Sequence, residues 1–196
     1  MIRIFDILLS FSGIIILLPF LIIISLLIKS TSKGPVFYKQ KRVGISNLDF
    51  LMWKFRTMKI DADKSGLLTI GGRDPRITNI GYFLRKFKLD ELPQLLNVLL
   101  GNMSLVGPRP EVRKYVDHYS NEQIKVLRVK PGMTDWASIN YRDENVFLEK
   151  SNDPEYDYIN SIMPDKIKHN LIFIEKRSLT EYFKIIFATF WHIIFR

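Results

Sequence analysis

Asp90 and Glu91 form an adjacent pair of carboxylates within a basic stretch of the chain. The cations that precede them are Arg76, Arg85, Lys86 and Lys88. Carboxylates in such surroundings can hold a divalent cation, and an ionised carboxylate can act as a nucleophile. Helix capping is the competing interpretation, since Asp is among the preferred N-cap residues and Glu is favourable in a first turn. The local sequence leaves both interpretations open.

A short helix is predicted directly after the pair. Its buried face is indicated by leucines at helical spacing, which are Leu92, Leu95, Leu96 and Leu99. Pro93 suits only the first turn because it has no N–H to donate, and Gly101 is typical of a helix end. We therefore expect Asp90 at or near the N-cap and Glu91 in the first turn. The positive end of the helix dipole would hold both as anions.

Two short strands and an amphipathic helix are predicted upstream of the pair. Residues 35–38 and 49–58 have strand character with a turn at 42–44 between them, which indicates a β-hairpin. Lys54 and Arg56 are two residues apart in the second strand and so share a face, which either meets solvent or binds an anion. A helix leading into the pair is predicted by apolar residues at helical spacing, which are Ile80, Phe83, Leu84 and Phe87.

The N-terminal run from residue 7 to 28 carries no charged side chain and is long enough to cross the hydrocarbon core of a bilayer. The run is longer than the apolar region of a secretory signal peptide, and no small-residue cleavage site follows it. Cations after the run, beginning with Lys29 and Lys33, predict that its C-terminal side is cytoplasmic. Pro19 removes a helical hydrogen bond and favours a bend. The helix could span the membrane or return to the same face, and the residues alone do not decide.

Composition limits the classes of chemistry and partner. The formal net charge of +9 implies a polyanionic partner, which could be nucleic acid, anionic lipid or a phosphorylated substrate. The absence of cysteine excludes a disulfide framework, a zinc–thiolate site and a cysteine nucleophile. Arg109 lies between Pro108 and Pro110, whose stiff backbone suits an arginine that is aimed at a phosphate group.

Five segments appear along the chain in an order that indicates a family. They are residues 54–58 (KFRTM), 74–78 (DPRIT), 89–98 (LDELPQLLNV), 101–110 (GNMSLVGPRP) and 130–134 (KPGMT). Together they resemble the bacterial sugar transferase family, in the form of its small monotopic phosphoglycosyl transferases. The resemblance covers nearly the whole chain and is densest from residue 54 to 140. No nucleic-acid-binding motif accompanies the segments, so no nucleic acid partner is expected.

The resemblance implies that a nucleotide diphosphosugar, usually a UDP-sugar, donates its phosphosugar to polyprenyl phosphate and that UMP is released. It implies that Asp90 is the nucleophile, forming a phosphosugar-aspartate intermediate, and that Asp90 and Glu91 hold Mg²⁺, with Glu91 as a further catalytic partner. The cations expected to bind substrate phosphate are Lys54, Arg56, Arg76, Arg85 and Arg109. Anionic membrane lipid is a further expected partner, and a homodimer is compatible with an interface on the last helix.

The expected fold is an α-rich α+β structure at the cytoplasmic face of the bacterial inner membrane. Residues 1–30 would form the membrane helix, which in the family is re-entrant and would bend here at Pro19. Residues 31–196 would form a compact catalytic domain with a short β-hairpin, and residues 136–140 a short strand or loop. Residues 182–195 are apolar and aromatic but too short to span a bilayer, which predicts an interfacial amphipathic helix; core packing is the alternative.

Three positions depart from the family pattern. Asp135 stands where family members commonly have Gly, which is expected to alter the local backbone. Asn170 aligns with an Asp that many relatives carry, and Asp157 or Asp165 are the candidates to replace its charge. Leu18 stands where several relatives have Ser, whose hydroxyl can help to bend a helix.

Two alternatives remain beside the covalent reaction. The same transfer could proceed directly, with Asp90 as a metal ligand only. The chain could instead be a basic, non-enzymatic membrane scaffold that binds anionic lipid and releases no UMP. A scaffold, however, gives no reason for an acidic pair among so many cations.

Overall fold

The computed structural model describes residues 1–62, 66, 68–69, 74–142 and 144–195. The helices in this part of the chain are α1 (Ile2–Thr31), α2 (Asn79–Lys86), α3 (Gln94–Leu100), α4 (Arg113–Val116), α5 (Trp136–Asn140), α6 (Glu144–Glu149), α7 (Pro154–Asp157), α8 (Met163–Glu175) and α9 (Leu179–Ile194). The strands are β1 (Phe37–Val43), β2 (Asp49–Phe55), β3 (Ser104–Val106) and β4 (Gly132–Thr134). Short 3₁₀ segments form at Ile45–Asn47, Leu89–Glu91 and Gln123–Arg128, and a π turn at Tyr158–Ile162.

Two small sheets accompany the helices, and the first is the predicted β-hairpin. β1 and β2 pair antiparallel, with Phe37 opposite Phe55. β3 and β4 pair in parallel, with Ser104 opposite Gly132. The prediction of a helix-rich fold with a short sheet is therefore confirmed.

Residues 136–140 form helix α5, so the prediction of a strand or loop there is wrong. The reason is Asp135, whose side chain accepts a hydrogen bond from the backbone N of Ser138 and caps the helix. An N-cap carboxylate satisfies a backbone donor that a helix start would otherwise leave unpaired.

α1 is the one helix in the described part of the chain whose length and composition would allow it to cross a membrane. It runs without a break through Pro19. Only 11% of its most apolar window is buried against the rest of the protein. Most of its apolar surface is therefore free to meet lipid, and a narrow stripe contacts the body of the protein.

The N-terminal end of α1 is attached through a buried carboxylate. Asp6 accepts hydrogen bonds from Ser104 Oγ at 2.9 Å, from the backbone N of Leu105 at 2.9 Å and from the hydroxyl of Tyr182 at 2.9 Å. Arg3, one turn earlier, donates to the backbone carbonyls of Val98 and Leu99 at the end of α3. The bond to Leu99 O satisfies a carbonyl at the helix end, where intrahelical donors run out, while Val98 O also accepts from the backbone N of Gly101.

The rest of α1 follows the same body. A Cβ added at Gly13 would lie 3.6 Å from the side chain of Leu95, so the middle of α1 lies on α3. Near the C-terminal end, Ile24 and Ile28 are buried in an apolar cluster with Phe55 and Leu84. Both ends of α1 therefore contact the folded part of the chain, on the same side of the molecule as α3.

Two further apolar clusters support the segment that follows β3. One joins Val106 of β3 to Phe173 of α8 and to Tyr182 and Ile185 of α9. The larger one packs α8 against the loops and short helices before it, and its buried members are Val112, Tyr115, Val126, Leu148, Tyr158, Ile162, Met163 and Ile167. The segment between the clusters carries Arg109, so both sides of that arginine are supported by core.

The end of β3 lies unusually close to the start of β4. A Cβ at Gly132 would be 2.1 Å from the backbone N of Gly107, and one at Gly107 would be 2.6 Å from the backbone O of Lys130. Only glycine permits such an approach of two backbones. The backbone N of Gly107 donates to Thr134 O at 3.0 Å. This bond fixes the position of the chain relative to β4 where it leaves β3.

Candidate active site

The acidic pair lies in the 3₁₀ segment Leu89–Glu91, between α2 and α3. Lys88, directly before it, has a φ of 57°, which is the left-handed region that residues with a Cβ seldom adopt. α3 begins only at Gln94, with Pro93 as its N-cap. The prediction that Asp90 lies at or near the N-cap is therefore wrong, because a separate turn presents the pair before the helix begins.

Glu91 is held by two cations from distant parts of the chain. Arg109 donates from Nη1 to Oε2 at 3.1 Å and from Nη2 to Oε1, and Lys54 Nζ donates to Oε1 at 3.2 Å. Burial alone would raise the pKa of Glu91, but the charges of Arg109 and Lys54 outweigh burial and hold that pKa well below its ordinary value. Glu91 is therefore an anion at neutral pH, as the sequence predicts.

Asp90 is in a different situation. It is 7% exposed, and within the described part of the chain no group donates a hydrogen bond to its carboxylate. Burial, and then the adjacent charge of Glu91, raise its pKa above the ordinary value, while Lys54 acts in the opposite direction. The expectation that the surroundings favour the anion of both residues is corrected for Asp90. A carboxylate with a raised pKa is more basic, and no described residue occupies the lone pairs of its ionised form.

Lys54 reaches the pair from the end of β2. Asn97 of α3 accepts from the backbone N of Trp53 at 2.9 Å and donates to the backbone O of Leu51 at 2.8 Å, which fixes this strand against α3. Burial lowers the pKa of Lys54 to about 8, although Glu91 favours the charged form. Lys54 is thus a cation that can lose its charge within the range of ordinary assays.

Arg109 is positioned by its backbone as well as by its side chain. Its backbone N donates to Asp135 Oδ2 at 3.0 Å, and Asp135 also accepts from the backbone N of Ser138 through Oδ1 at 2.5 Å. Asp135 is completely buried. One carboxylate therefore caps α5 and holds Arg109, whose own pKa is raised chiefly by the charge of Glu91.

Two of the predicted phosphate-binding arginines lie elsewhere. Arg56 is buried and donates to the backbone carbonyls of Pro35 and Ser32, which ties the end of α1 to the hairpin. The guanidinium of Arg76 binds Asp74 and backbone carbonyls of residues 62, 66 and 68. These contacts occupy donors of both guanidinium groups with backbone carbonyls, and the predicted phosphate-binding role of each residue stays a prediction.

Arg85 remains near the pair without binding it. It donates to Thr69 Oγ1 at 2.9 Å, and its charge lowers the pKa of Asp90. Its predicted role toward substrate phosphate stays a prediction. Lys54 and Arg109 are thus the two predicted cations that the structure brings to the acidic pair.

Asn170 lies on α8 and is 6% exposed. Its Oδ1 is buried and accepts no hydrogen bond within the described part of the chain. The two acids considered as replacements for its missing charge are engaged elsewhere: Asp157 accepts from Ser151 Oγ at 2.5 Å, and Asp165 accepts from the hydroxyl of Tyr141. Neither of these contacts joins them to the acidic pair.

A polar cleft, called here the side cleft, opens beside Arg109. Its walls include Arg42, Glu111, Tyr115, Glu144, Tyr158 and Lys166. None of these residues was identified from the sequence. Glu111 is close to Arg109 in sequence, but the others come from β1, α4, α6, the π turn and α8, and nothing in their spacing indicates that they meet.

The residues at the pair suit a magnesium ion that is held largely by substrate. The described residues contain no group of three or more His, Asp or Glu side chains arranged to hold a metal. Mg²⁺ in phosphoryl-transfer sites commonly uses one or two carboxylates, together with water and phosphate oxygens. Among the described residues, none donates a hydrogen bond to Asp90, and Glu91 keeps a free lone pair on Oε2, which accepts one bond from Arg109. The donor set therefore fits the ion.

Comparison with known sequences agrees with this arrangement. The model of the family described as bacterial sugar transferase matches residues 1–196. A UDP-glucose:undecaprenyl-phosphate glucose-1-phosphate transferase of Klebsiella pneumoniae is 39% identical over 191 residues, which are 95% of this chain and 38% of that protein.

Two further relatives are also similar, and one of them is named for a different sugar. A UDP-N-acetylgalactosamine-undecaprenyl-phosphate N-acetylgalactosaminephosphotransferase of Aeromonas hydrophila is 42% identical over 137 residues, 68% of this chain and 32% of that protein. An undecaprenyl-phosphate glucose phosphotransferase of Komagataeibacter xylinus is 41% identical over 145 residues, 70% of this chain and 27% of that protein. The chain matches well under half the length of each of these three relatives.

Proposed function

This chain belongs to the bacterial sugar transferase family, and from that membership we propose that it transfers a sugar phosphate from a UDP-sugar to polyprenyl phosphate. The relatives described above are named as enzymes of this kind, acting on undecaprenyl phosphate. We propose that the reaction proceeds through a phosphosugar-aspartate on Asp90. The observation that carries the proposal is the contrast within the pair: Glu91 is fully neutralised, while Asp90 is buried and has no protein partner in the described part of the chain.

In the first step, an Asp90 oxygen attacks the phosphorus that bears the sugar. The bond from that phosphorus to the bridging oxygen of the diphosphate breaks, and UMP leaves with the bonding electrons. In the second step, an oxygen of polyprenyl phosphate attacks the same phosphorus. The bond to Asp90 breaks, its carboxylate is regenerated, and the product is a polyprenyl diphosphosugar.

The electrostatics around the pair support this assignment. Phosphoryl transfer depends mainly on positioning and on cations that neutralise the oxygens around the phosphorus. Arg109 and Lys54 lie partly buried at the acidic pair and are held there by Glu91. Glu91 thus keeps two cations at the place where phosphate charge arrives, and its own charge raises the pKa of the nucleophile.

We propose Mg²⁺ as the cofactor, held by Asp90 and Glu91 together with phosphate oxygens of the donor. When bound, the ion would supply neutralisation of diphosphate charge. Arg109 and Lys54 would bind and orient the donor phosphates, and the buried position of Asp90 limits attack by water.

We also propose that α1 is re-entrant and that the protein lies on the cytoplasmic face of the bacterial inner membrane. A spanning helix would separate its ends by a hydrocarbon core about 30 Å thick. Here Asp6 binds β3 and α9 near one end, while Ile28 packs against Phe55 near the other. Attachment of both ends to one body supports entry and exit at the same face.

We propose that α9 makes a second contact with the same membrane. The exposed aromatic side chains along this helix are Phe183, Phe187, Phe190 and Trp191. The ring of Phe183 packs edge-on against Phe5 of α1 with centroids 5.1 Å apart, so the two apolar surfaces adjoin. The net charge of +9 would add attraction to anionic lipid, at about 1 kcal/mol for each cation near the surface.

The proposed intermediate can be tested directly by mass spectrometry of the intact protein. The full chain in detergent or nanodiscs is incubated with Mg²⁺ and a UDP-sugar, without lipid acceptor. We expect a phosphosugar adduct that maps to Asp90, is discharged by polyprenyl phosphate, and is missing from Asp90→Asn. Asp117→Asn, at an exposed carboxylate, is the matched control. Turnover with no adduct would instead favour direct transfer, and no UMP release with any donor would favour the scaffold.

A further inference from the structure

The side cleft is built differently from the acidic pair. Along its walls the charged groups are matched: Arg42 Nη1 is 3.4 Å from Glu111 Oε2, and Lys166 Nζ is 2.7 Å from Glu144 Oε2. Arg109, which the cleft shares with the acidic pair, is itself paired with Glu91. A second phosphate would have to compete with these carboxylates, so the cleft suits an uncharged ligand.

The tyrosines of the cleft are neutral hydrogen-bonding groups. Burial, followed by the charges of Glu155 and Glu111, raises the pKa of Tyr115 to about 12. Burial likewise raises the pKa of Tyr158 well above its ordinary value, and its hydroxyl donates to Glu111 Oε1 at 2.5 Å. Both hydroxyls therefore keep their protons at any assay pH near neutrality.

The hydroxyl of Tyr115 is available for hydrogen bonding as far as the described residues go. The residue is 3% exposed, yet within the described part of the chain its hydroxyl has no hydrogen-bond partner. Tyr115 lines the side cleft, where its hydroxyl could donate to or accept from a ligand. A buried polar side chain with one open hydrogen-bonding group indicates a place for a ligand.

Paired carboxylates, amino groups and neutral hydroxyls are the groups that recognise a polyhydroxylated ring. Each sugar hydroxyl can donate to a carboxylate and accept from a lysine, an arginine or a tyrosine. Glu111 and Glu144 supply the acceptors, and Arg42, Lys166 and Tyr115 supply donors. The ring attached to the reacting phosphorus must also lie close to the cation that binds that phosphate, and Arg109 lines both places.

We propose that the side cleft binds the sugar ring of the donor and that Tyr115 and Glu144 help to select which sugar is transferred. This inference rests on the proposed function. The nucleoside half of the donor is the other polyhydroxylated group that could use the cleft, but it is joined to the phosphate that leaves, one phosphate further from Asp90. The sugar ring and the nucleoside predict different results. The nucleoside is present in UDP and in every UDP-sugar, whereas UDP has no sugar ring.

The experiment compares donors in two variants and two matched controls. UMP release is measured for UDP-glucose, UDP-N-acetylglucosamine and UDP-N-acetylgalactosamine with the full chain carrying Tyr115→Phe or Glu144→Gln. The controls are Tyr156→Phe and Glu149→Gln, which remove the same groups at exposed positions outside the cleft. Inhibition by UDP is measured for every protein.

For each cleft variant we expect the ratio of kcat/KM between the best donor and another donor to change by about fivefold or more. The reason is that a hydrogen bond to one sugar hydroxyl favours donors that carry that hydroxyl over donors that do not, and the variant loses this bond. Inhibition by UDP should stay the same, and the controls should match the parent protein. Weaker UDP inhibition with an unchanged donor ranking would overturn the proposal in favour of the nucleoside. An unchanged ranking with unchanged UDP inhibition would remove the cleft from the donor site.

A binding measurement separates this proposal from the proposed function. Asp90→Asn is titrated calorimetrically with each UDP-sugar and with UDP, alone and combined with Tyr115→Phe. We expect Tyr115→Phe to weaken binding of the preferred UDP-sugar and to leave UDP binding unchanged, whether or not a covalent intermediate forms. Equal effects on UDP and UDP-sugar would reject the sugar site, whereas failure of the proposed function would appear as absent UMP release from the parent protein.

Discussion

The Asp6 carboxylate and the Tyr182 hydroxyl are 2.9 Å apart, although 176 positions separate them in the chain. One belongs to the long apolar helix α1 and the other to the aromatic helix α9. The same carboxylate accepts from Ser104 and Leu105 at β3. A single buried side chain thus joins both apolar helices to the strand that leads to Arg109.

Asp6→Ala should destabilise the fold, because it leaves three buried donors without an acceptor. We expect the free energy of unfolding to fall by roughly 3 kcal/mol, at about 1 kcal/mol or more for each donor that loses its acceptor. Tyr182→Phe, which removes one bond, should cost about 1 kcal/mol. Chemical unfolding in detergent measures both, with the exposed Asp117→Ala as control; equal stability of Asp6→Ala and the control would contradict the role assigned to this carboxylate.

Asp135→Asn should reduce activity by loosening Arg109. An Asn side chain has one acceptor oxygen, so it cannot accept from both Arg109 N and Ser138 N as the carboxylate does. We expect kcat/KM to fall about tenfold, the equivalent of one charge-assisted hydrogen bond. Asn is also a good N-cap, so α5 and the thermal unfolding midpoint should change little.

A double-mutant cycle with Arg109→Lys tests whether Asp135 acts by positioning Arg109. If Asp135 acts through Arg109, the two substitutions together should cost less than the sum of their separate effects. Ser138→Ala is the matched control, since it changes the same helix start but leaves the backbone donors intact. Strictly additive losses would show that Asp135 acts independently of Arg109.

The activity should fall at alkaline pH because of Lys54. Its pKa of about 8 means that the side chain is a cation below that pH and becomes neutral as the pH rises through it. We expect kcat/KM, which reports the free enzyme, to decline with a midpoint near 8. Lys54→Arg should move this limb to higher pH, because arginine keeps its charge. An alkaline limb that is unchanged in Lys54→Arg would assign it to another group.

Glu91→Gln should distinguish the roles of the two carboxylates of the pair. The charge of Glu91 raises the pKa of Asp90, so its removal should lower that pKa and shift the acid limb of adduct formation to lower pH. The rate should also fall by at least about tenfold, since Arg109 and Lys54 lose the group that positions them. Glu149→Gln is the exposed control. An acid limb that stays in place would mean that burial alone sets the pKa of Asp90.

Several elements were predictable because their signals are local. The length and apolarity of α1, the leucine spacing of α3, the stop at Gly101 and the alternation of the hairpin each depend on neighbouring residues. The end of α3 at Gly101, with a φ of 91°, follows from the conformational freedom of glycine. The family motifs likewise identified Asp90, Glu91, Lys54 and Arg109 before any geometry was known.

Other features depend on residues that meet only in the folded chain. The sequence marks Lys54, Arg56 and Arg76 alike as cations near an acidic pair, yet only Lys54 reaches Glu91, while the other two bind backbone carbonyls. Which role an arginine takes depends on the acceptors that tertiary packing brings within about 3 Å. Sequence spacing contains no information on that distance.

The amino-acid sequence by itself determined the family, the long apolar helix and the identity of the acidic pair, because motif order, apolar length and charge are properties of the chain. Only the tertiary structure decided that Glu91 is neutralised while Asp90 has no partner among the described residues, and that Asp135 holds Arg109. It also decided that the side cleft forms. Burial and charge pairing shift the pKa values of two adjacent carboxylates in opposite directions, and both effects exist only after distant segments have packed together.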